Sequence, residues 1–377
     1  MSGGLSEEQV LLRASLHGYF SRAYTFEARR QQLAAPLSAQ GLWRAFADEL
    51  GILGAAFDET VGGLGGGAME TLLIMDAIGR HLVLEPFVPT VILAGGVLRR
   101  SETQMARELI GKLISGDLRL ALAYAEPQAR YDWRNVAATA RRDGDAYVLN
   151  GEKSLVVGGP QADKILIVAR SHGARRDHAG LSVFVVDGAA SGLSRRDYRL
   201  IDGRPASELR LENLVAPPES LLTPEGEAGD IVQAVLDEGA AAVCAETAAL
   251  LHRMVVDTVE YAKTRVQFGA PIASFQALQH RMVDMLISAE SAAAIAATAM
   301  NRLSAAPAER AMAVSAAKAF VGNAARFVGQ NAVQLHGGMG ITDEMPISHC
   351  FKRATVFETE FGSTDHHLAR YEEGGLC

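Results

Sequence analysis

Near one end the chain reads FETEFGSTDHH, residues 357–367, which gathers Glu358, Glu360, Asp365, His366 and His367 around a Phe361-Gly362 step. Carboxylates of this kind take up protons, and imidazoles either shuttle protons or hold metals. A metal reading fails on geometry. Adjacent residues of a helix project about 100° apart, so His366 and His367 do not converge on one ion, and the i, i+4 pairing of helical metal sites is absent. No metal site is expected. A second acidic pair, Asp237-Glu238, opens a long helical run, where carboxylates also suit the positive end of the helix dipole. Arg265, in TRVQFG, is a fixed cation at the end of that run, where it complements the negative end. Of the glycine clusters, VGGLGGGA at 61–68 lacks the strand–turn–helix context of a phosphate loop. QLHGGMG at 334–340 follows a helical run, so Gly337 and Gly338 either cap it or let a ligand approach the backbone. His252, His280, His336 and His349 stand singly and read as structural residues.

Periodicity shows which elements must carry these groups. From Leu5 to about Ala121 the apolar residues fall at helical spacing, as in Val10, Leu11, Ala14, Leu16, Tyr19 and Phe20. From Leu118 the texture changes to short alternating runs, among them LRLALAYAEP, KILIVAR, GLSVFVVDG and ELRLENLVAP, with Asp143-Gly144 as a turn signal. Six or so strands without intervening helices predict a small antiparallel sandwich or barrel. After PPESLLTPEGEAGD the chain returns to Ala-rich helices over about 231–267, 274–304 and 308–335. The order predicts an α+β protein with an N-terminal helical domain (1–120), a middle antiparallel β-domain (121–228) and a C-terminal four-helix-bundle domain (229–377). Runs such as AAAVCAETAAL and AESAAAIAATAM let helix backbones approach closely, which suits packing between subunits as well as within one. Alanine also raises helix propensity by itself.

The chain has 377 residues, 49% of them hydrophobic, with a net charge of −8. That is a globular composition, neither disordered nor fibrous. Basic residues run no further than pairs such as Arg29-Arg30 and Arg175-Arg176, so no nucleic-acid partner is expected. The first residues lack the basic start and apolar run of a signal peptide, and no uninterrupted run of about 18 apolar residues occurs. These features predict a cytoplasmic protein without a membrane partner. Cys244, Cys350 and Cys377 are too few and too scattered for a disulfide framework and read as core or surface thiols.

Taken together, the motifs exceed their parts. The helices, the β-segment opening at YAEP, a second β-segment beginning LNGEKS, the helix ending YAKTRVQFGAPIASFQALQHRMVDM, then AVQLHGGMGIT and FKRATVFETEFGSTDHHLAR resemble the acyl-CoA dehydrogenase family over essentially the whole chain. Within it, the texture is most similar to the paired members, such as those of pimeloyl-CoA oxidation and steroid side-chain breakdown. The resemblance implies FAD as cofactor, an acyl-CoA substrate and an electron-transfer flavoprotein as acceptor. It also implies part of the flavin site coming from a neighbouring, homologous subunit, α2β2 in the paired members. A carboxylate would remove the proton α to the thioester carbonyl while hydride leaves the β-carbon for the flavin.

Residue by residue, the resemblance places Arg265 on the FAD pyrophosphate of the adjacent subunit and Phe268 beside it. Gln276, Gln334, Gly337 and Gly338 match positions around the adenine half. The flavin-ring half departs from the pattern. Ala125 stands where a threonine hydroxyl meets the flavin, QARYD replaces a Gly-Ser-Asp loop, and Leu155 and Val157 replace a tryptophan and a threonine. Ser363 falls near the flavin or its pyrophosphate. The largest departure is at the usual base, a Glu before Gly-Thr or Gly-Ser, where this chain has Phe361. Phenylalanine accepts no proton, although its backbone N–H remains a donor for a thioester oxygen. Glu238 lies about where some members carry the base instead. The sequence therefore poses two readings. One is a heteromer subunit whose base is on its partner; the other is a self-sufficient flavoenzyme using Glu238 or oxygen chemistry. A non-catalytic subunit is a variant of the first. LVLEPFVPT at 82–90 and the small residues Gly239 to Ala242 are expected near the acyl group.

Overall fold

The structure is a computed structural model that describes residues 4–39 and 41–375. Cys377 lies outside them. The chain divides into two compact units.

The first unit takes residues 1–31, 68–83 and 240–377. Its leading helix, α1 (Glu7–Ala23), starts at Ser6, whose hydroxyl accepts from the Gln9 N–H while the Gln9 side chain returns to the Ser6 N–H. This capping box satisfies two donors that the helix end would otherwise leave open. α2 (Phe26–Ala34) begins here, and α4 (Ala68–His81) packs on α1. α7 (Gly229–Thr264) enters this unit at residue 240. A Cβ on Gly79 would lie 2.0 Å from the Glu246 carbonyl oxygen, so α4 and α7 meet backbone to backbone. α8 (Gln276–Asn301), α10 (Pro346–Phe357) and α11 (Thr364–Gly375) all pack on α9 (Pro307–His336). Val314, Lys318, Val321, Ala325, Val328, Ala332 and Leu335 form the buried stripe of α9 at three- and four-residue spacing. α8 is long and apolar enough to cross a membrane by length and composition alone. Here it is a bundle helix whose Val283, Leu286 and Ile287 point to solvent.

The second unit takes residues 32–67 and 84–239. Its helices are α3 (Trp43–Asp48), a fully buried π-helical turn at Val88–Ala94, α5 (Gly95–Arg99) and α6 (Gln104–Ile114). The sheet comprises β1 (Leu120–Ala123), β2 (Thr139–Asp143), β3 (Ala146–Val157), β4 (Lys164–Arg170), β5 (Leu181–Asp187), β6 (Leu193–Arg199) and β7 (Pro205–Ala216). Their order is β1-β4-β2-β3-β7-β6, with β5 on β4. Most ladders are antiparallel as the turn signals predict, but β1 runs parallel to β4, and Thr139 of β2 pairs in parallel with Arg170. Leu149, Ile165, Ile167, Phe184, Leu209 and Leu214 fill the sheet core. The register of β3 on β7 slips between Lys153 and Val156. That bulge re-aims the side chains at the end of β3. Thr90, in the π-helical turn, donates from its hydroxyl to the Leu120 carbonyl at 2.7 Å and so ties that turn to β1.

Candidate functional site

In the first unit, residues 358–363 form the turn between α10 and α11, and every side of it is pinned. Phe361 has φ +59, a left-handed conformation that costs a residue with a Cβ roughly 1–3 kcal/mol unless its surroundings over-determine it. They do. His367 Nε2 lies 3.1 Å from the Phe361 carbonyl oxygen and Nδ1 lies 3.2 Å from the Ser315 hydroxyl. A neutral ring donating from Nε2 and accepting at Nδ1 satisfies both contacts. Burial, reinforced by Lys318, pushes the His367 pKa down to about 3, so the ring is neutral at pH 7. Lys318 Nζ donates to the Phe357 carbonyl at 2.7 Å and stands 3.7 Å from the centre of the Phe357 ring. Burial brings this ammonium down to about 8.

The carboxylates of the stretch are engaged elsewhere. Glu358 accepts from the Thr364 N–H and hydroxyl, each at 3.0 Å, and the Ser363 hydroxyl accepts from the His366 N–H at 3.3 Å, so both cap α11. Glu360 Oε2 accepts from Arg353 Nη1 at 2.9 Å. The same guanidinium holds Glu246 in a bidentate pair at 2.6 and 2.8 Å. Glu360 is thus turned toward Arg353, and the left-handed backbone at Phe361 breaks the helical path one residue later. Within the turn, the backbone N–H groups of Phe361, Gly362 and Ser363 donate to no group among the described residues. Among those residues no cluster of metal-ligating groups occurs.

Also in this unit, the hairpin after α7 and the loop after α9 come together. Arg265 follows the last residue of α7, exposed and without an ion pair among the described residues. Phe268 has φ +56, is 94% exposed and packs edge-on against Phe275 at 6.2 Å. Gln276 begins α8 and Gln334 lies in the last turn of α9, both exposed. Gly337 has φ +60, and a Cβ on Gly337 or Gly338 would meet nothing within 4 Å, so that backbone faces open space. The join is made by a pair that sequence reasoning missed. Tyr261 stacks on His336 at 4.3 Å and its hydroxyl donates to the His336 carbonyl at 3.4 Å. Tyr261 sits one helical turn before Arg265, and His336 immediately precedes Gly337, so this stack sets one motif beside the other. That spacing was the available signal.

In the second unit the other candidate positions cluster at the end of β3. The Ala125 carbonyl accepts from the Ser154 N–H at 2.9 Å. Leu155 has φ +52 in the bulge and is 48% exposed, and Val157 ends the strand. Leu155, Phe268 and Phe361, three of the positions singled out from sequence, are thus all strained. Within the second unit, Lys153 Nζ donates to Glu126 Oε1 at 2.6 Å with both side chains buried. Glu126 also accepts from the N–H groups of Ala137 (2.7 Å) and Ala138 (3.1 Å). Burial pushes the Glu126 carboxyl up, but Lys153 and these hydrogen bonds outweigh it and hold the group below the usual carboxylate range. Glu238, the candidate base, instead receives Arg99 at 2.9 Å and Arg100 at 2.6 Å. Gly96 makes room for it, since a Cβ there would lie 2.9 Å from Glu238 Oε2.

Set against FAD, the two groups of residues differ. The unpaired Arg265 guanidinium, the exposed amides of Gln276 and Gln334 and the open Gly337-Gly338 backbone have the chemistry for a pyrophosphate and a nucleoside. Ala125, Leu155 and Val157 offer the polar edge of a flavin no side-chain donor or acceptor. The residues fit the dinucleotide half of the cofactor and not the ring half.

Comparison with known proteins agrees along the whole chain. The family models named Acyl-CoA dehydrogenase N-terminal, middle and C-terminal domain match residues 6–117, 121–214 and 228–375. An acyl-CoA dehydrogenase of Bacillus subtilis is 28% identical over 383 residues, 98% of this chain and 99% of that protein. The caffeyl-CoA reductase-Etf complex subunit CarC of Acetobacterium woodii is 28% identical over 325 residues, 84% of each chain. Among solved structures, a chain of the ChsE4-ChsE5 complex from Mycobacterium tuberculosis superposes with a TM-score of 0.89 at 25% identity, covering 100% of this chain and 99% of that one. With three domains matched in order and the fold shared end to end, the chain belongs to the acyl-CoA dehydrogenase family of FAD-dependent oxidoreductases.

Proposed function

We propose that the chain is one subunit of a heteromeric acyl-CoA dehydrogenase that forms a 2-enoyl-CoA, with the base carried by a homologous partner subunit. One observation carries the reading: the turn at 358–363 is fully pinned yet offers free N–H groups and no free carboxylate. A donor at Phe361 stabilises the negative charge that develops on a thioester oxygen when the α-proton leaves. Bound FAD would supply the acceptor for the hydride lost from the β-carbon. Glu238 is a poor alternative base, because its carboxylate is already shared by two guanidinium groups.

The exposed Arg265, Phe268, Gln276, Gln334 and Gly337-Gly338 group is suited to FAD held mainly by the partner, since this chain's own sheet lacks polar ring contacts. An uncovered Phe268 and the bare apolar side of α8 support a subunit interface. The ChsE4-ChsE5 structure is a complex of two different chains. An electron-transfer flavoprotein is the proposed redox partner, as the name of CarC pairs a reductase with Etf. That relative also supports enoyl-CoA reduction as the same chemistry run in reverse. The test is to purify the chain alone and with its homologous partner and to measure flavin per chain and turnover. Flavin and turnover confined to the co-purified complex are expected; one flavin per chain with turnover in the solo preparation refutes the heteromer.

A further inference from the structure

In the first unit, α1 and α4 lie side by side and run the same way: the Gln9 amide donates to Glu70 at 2.8 Å towards their starts, and His17 Nε2 lies 3.2 Å from Asp76 Oδ2 further along. The cleft between them holds a cavity of about 510 Å³. Packing voids in a protein interior seldom exceed a water molecule, whereas ligand pockets span about 300–1,000 Å³, so this space has the size of a pocket. None of its lining residues belongs to the turn at 358–363 or to the group around Arg265.

The walls change character along the cleft. Leu5, Met69, Leu72 and Leu73 make the end nearest the helix starts, and Arg13, His17, Asp76 and Arg80 make the other. Arg13 and His17 share a face of α1 at i, i+4, as Asp76 and Arg80 do on α4. The Asp76 carboxylate is engaged within the wall: Oδ2 accepts from Arg80 Nε at 2.8 Å and from His17, and Oδ1 from Arg80 Nη2 at 3.3 Å. Burial pushes this carboxyl up, but those hydrogen bonds outweigh it and hold the group below the usual carboxylate range. Arg80 Nη1 donates to His252 Nδ1 at 3.1 Å. Three of the five N–H donors of Arg80 are thereby used, which leaves one on each terminal nitrogen. Behind His17, His81 Nε2 lies 3.5 Å from His17 Nδ1, and burial brings His81 down to about 4, so that ring adds no charge. Two guanidinium groups against one carboxylate give the polar end an excess of positive charge even with His17 neutral. From Asp76 back to Met69 the apolar wall runs about 10 Å along α4, the length of a medium alkyl chain.

We propose that this cleft binds an amphipathic monocarboxylate, with its carboxylate held by Arg13 and Arg80 and its alkyl chain laid along Leu5, Met69 and Leu72. The site stands apart from the acyl-CoA reading above. Its test is calorimetric titration of the purified full chain, with the partner subunit where the two form a complex. The probe is octanoate; octanamide lacks the charge and acetate lacks the chain. S-octyl-coenzyme A, a thioether without an acidic α-proton, saturates any acyl-CoA site. Octanoate should bind at one site per chain and persist under excess S-octyl-coenzyme A, with octanamide and acetate at least about tenfold weaker. Arg13→Gln removes one cation, and Met69→Trp fills the apolar end without touching the charges; both positions are half-buried. Each variant should weaken octanoate at least about tenfold. Absence of octanoate binding, equal affinity for octanamide, displacement by S-octyl-coenzyme A, or unchanged affinity in either variant overturns the proposal.

Discussion

Arg353 is the residue on which the base-less turn hangs, and its removal has a calculable consequence. Its side chain is 4% exposed and faces Glu246 at 7% and Glu360 at 12%. Arg353→Met deletes the guanidinium that bridges two buried carboxylates, and breaking such a pair from one side costs about 3–5 kcal/mol. The two tryptophans, Trp43 and Trp133, lie in the second unit and are blind to this one. Cys244 is the better probe, being fully buried on α7 two residues before Glu246. Labelling of the Cys244 thiol, followed by peptide mass under conditions where opening is fast and reversible, should accelerate about 10²- to several 10³-fold in Arg353→Met. The triple change Glu246→Leu, Arg353→Met, Glu360→Leu removes all three charges and should return labelling to within about tenfold of the parent. Acceleration in the single variant that persists undiminished in the triple one would show that packing, not an uncompensated pair of carboxylates, sets the cost, and the electrostatic account of the turn would be wrong.

Three further outcomes follow from particular groups. Glu85 is buried with Oε1 receiving the Leu42 N–H and Oε2 unpartnered among the described residues, and burial raises its pKa from 4.5 to about 7. The folded state therefore holds this proton more tightly than the unfolded chain, so stability falls by about 3 kcal/mol as pH rises from 4.5 through 7; in Glu85→Gln, urea unfolding followed by tryptophan fluorescence should lose that slope, and an equal slope in both proteins refutes it. Phe361→Glu keeps the left-handed turn and adds the missing carboxylate. In the complex it should leave turnover unchanged, since the base is proposed to be the partner's; a rise of about 10²-fold or more refutes that placement. Arg265→Ala should release flavin from the complex, read as absorbance after gel filtration, with folding intact because the side chain is exposed and unpaired; unchanged flavin content excludes its pyrophosphate role.

What the sequence could disclose divides by the range of the physics. Helix extents followed from local periodicity: the run expected at 308–335 is α9 at Pro307–His336, and that expected at 231–267 is α7 at Gly229–Thr264. The parallel β1–β4 ladder was invisible because its partners, Leu120 and Lys164, are joined by tertiary geometry and not by a turn signal. At the turn, Phe361 was legible because a missing functional group is a property of one residue. Its neighbours were not, because a carboxylate's role depends on what faces it. Glu360 and Glu238 look alike as letters, yet one completes a buried triad with Arg353 and the other is shared by Arg99 and Arg100. Both are spoken for by guanidinium groups, that of Glu360 seven positions back on α10 and those of Glu238 more than a hundred positions away, and that pairing supports the proposal that the base is the partner's. The strain at Phe361 supports the same proposal: a left-handed residue, a neutral histidine and a buried lysine fix a turn whose backbone N–H groups meet no acceptor among the described residues.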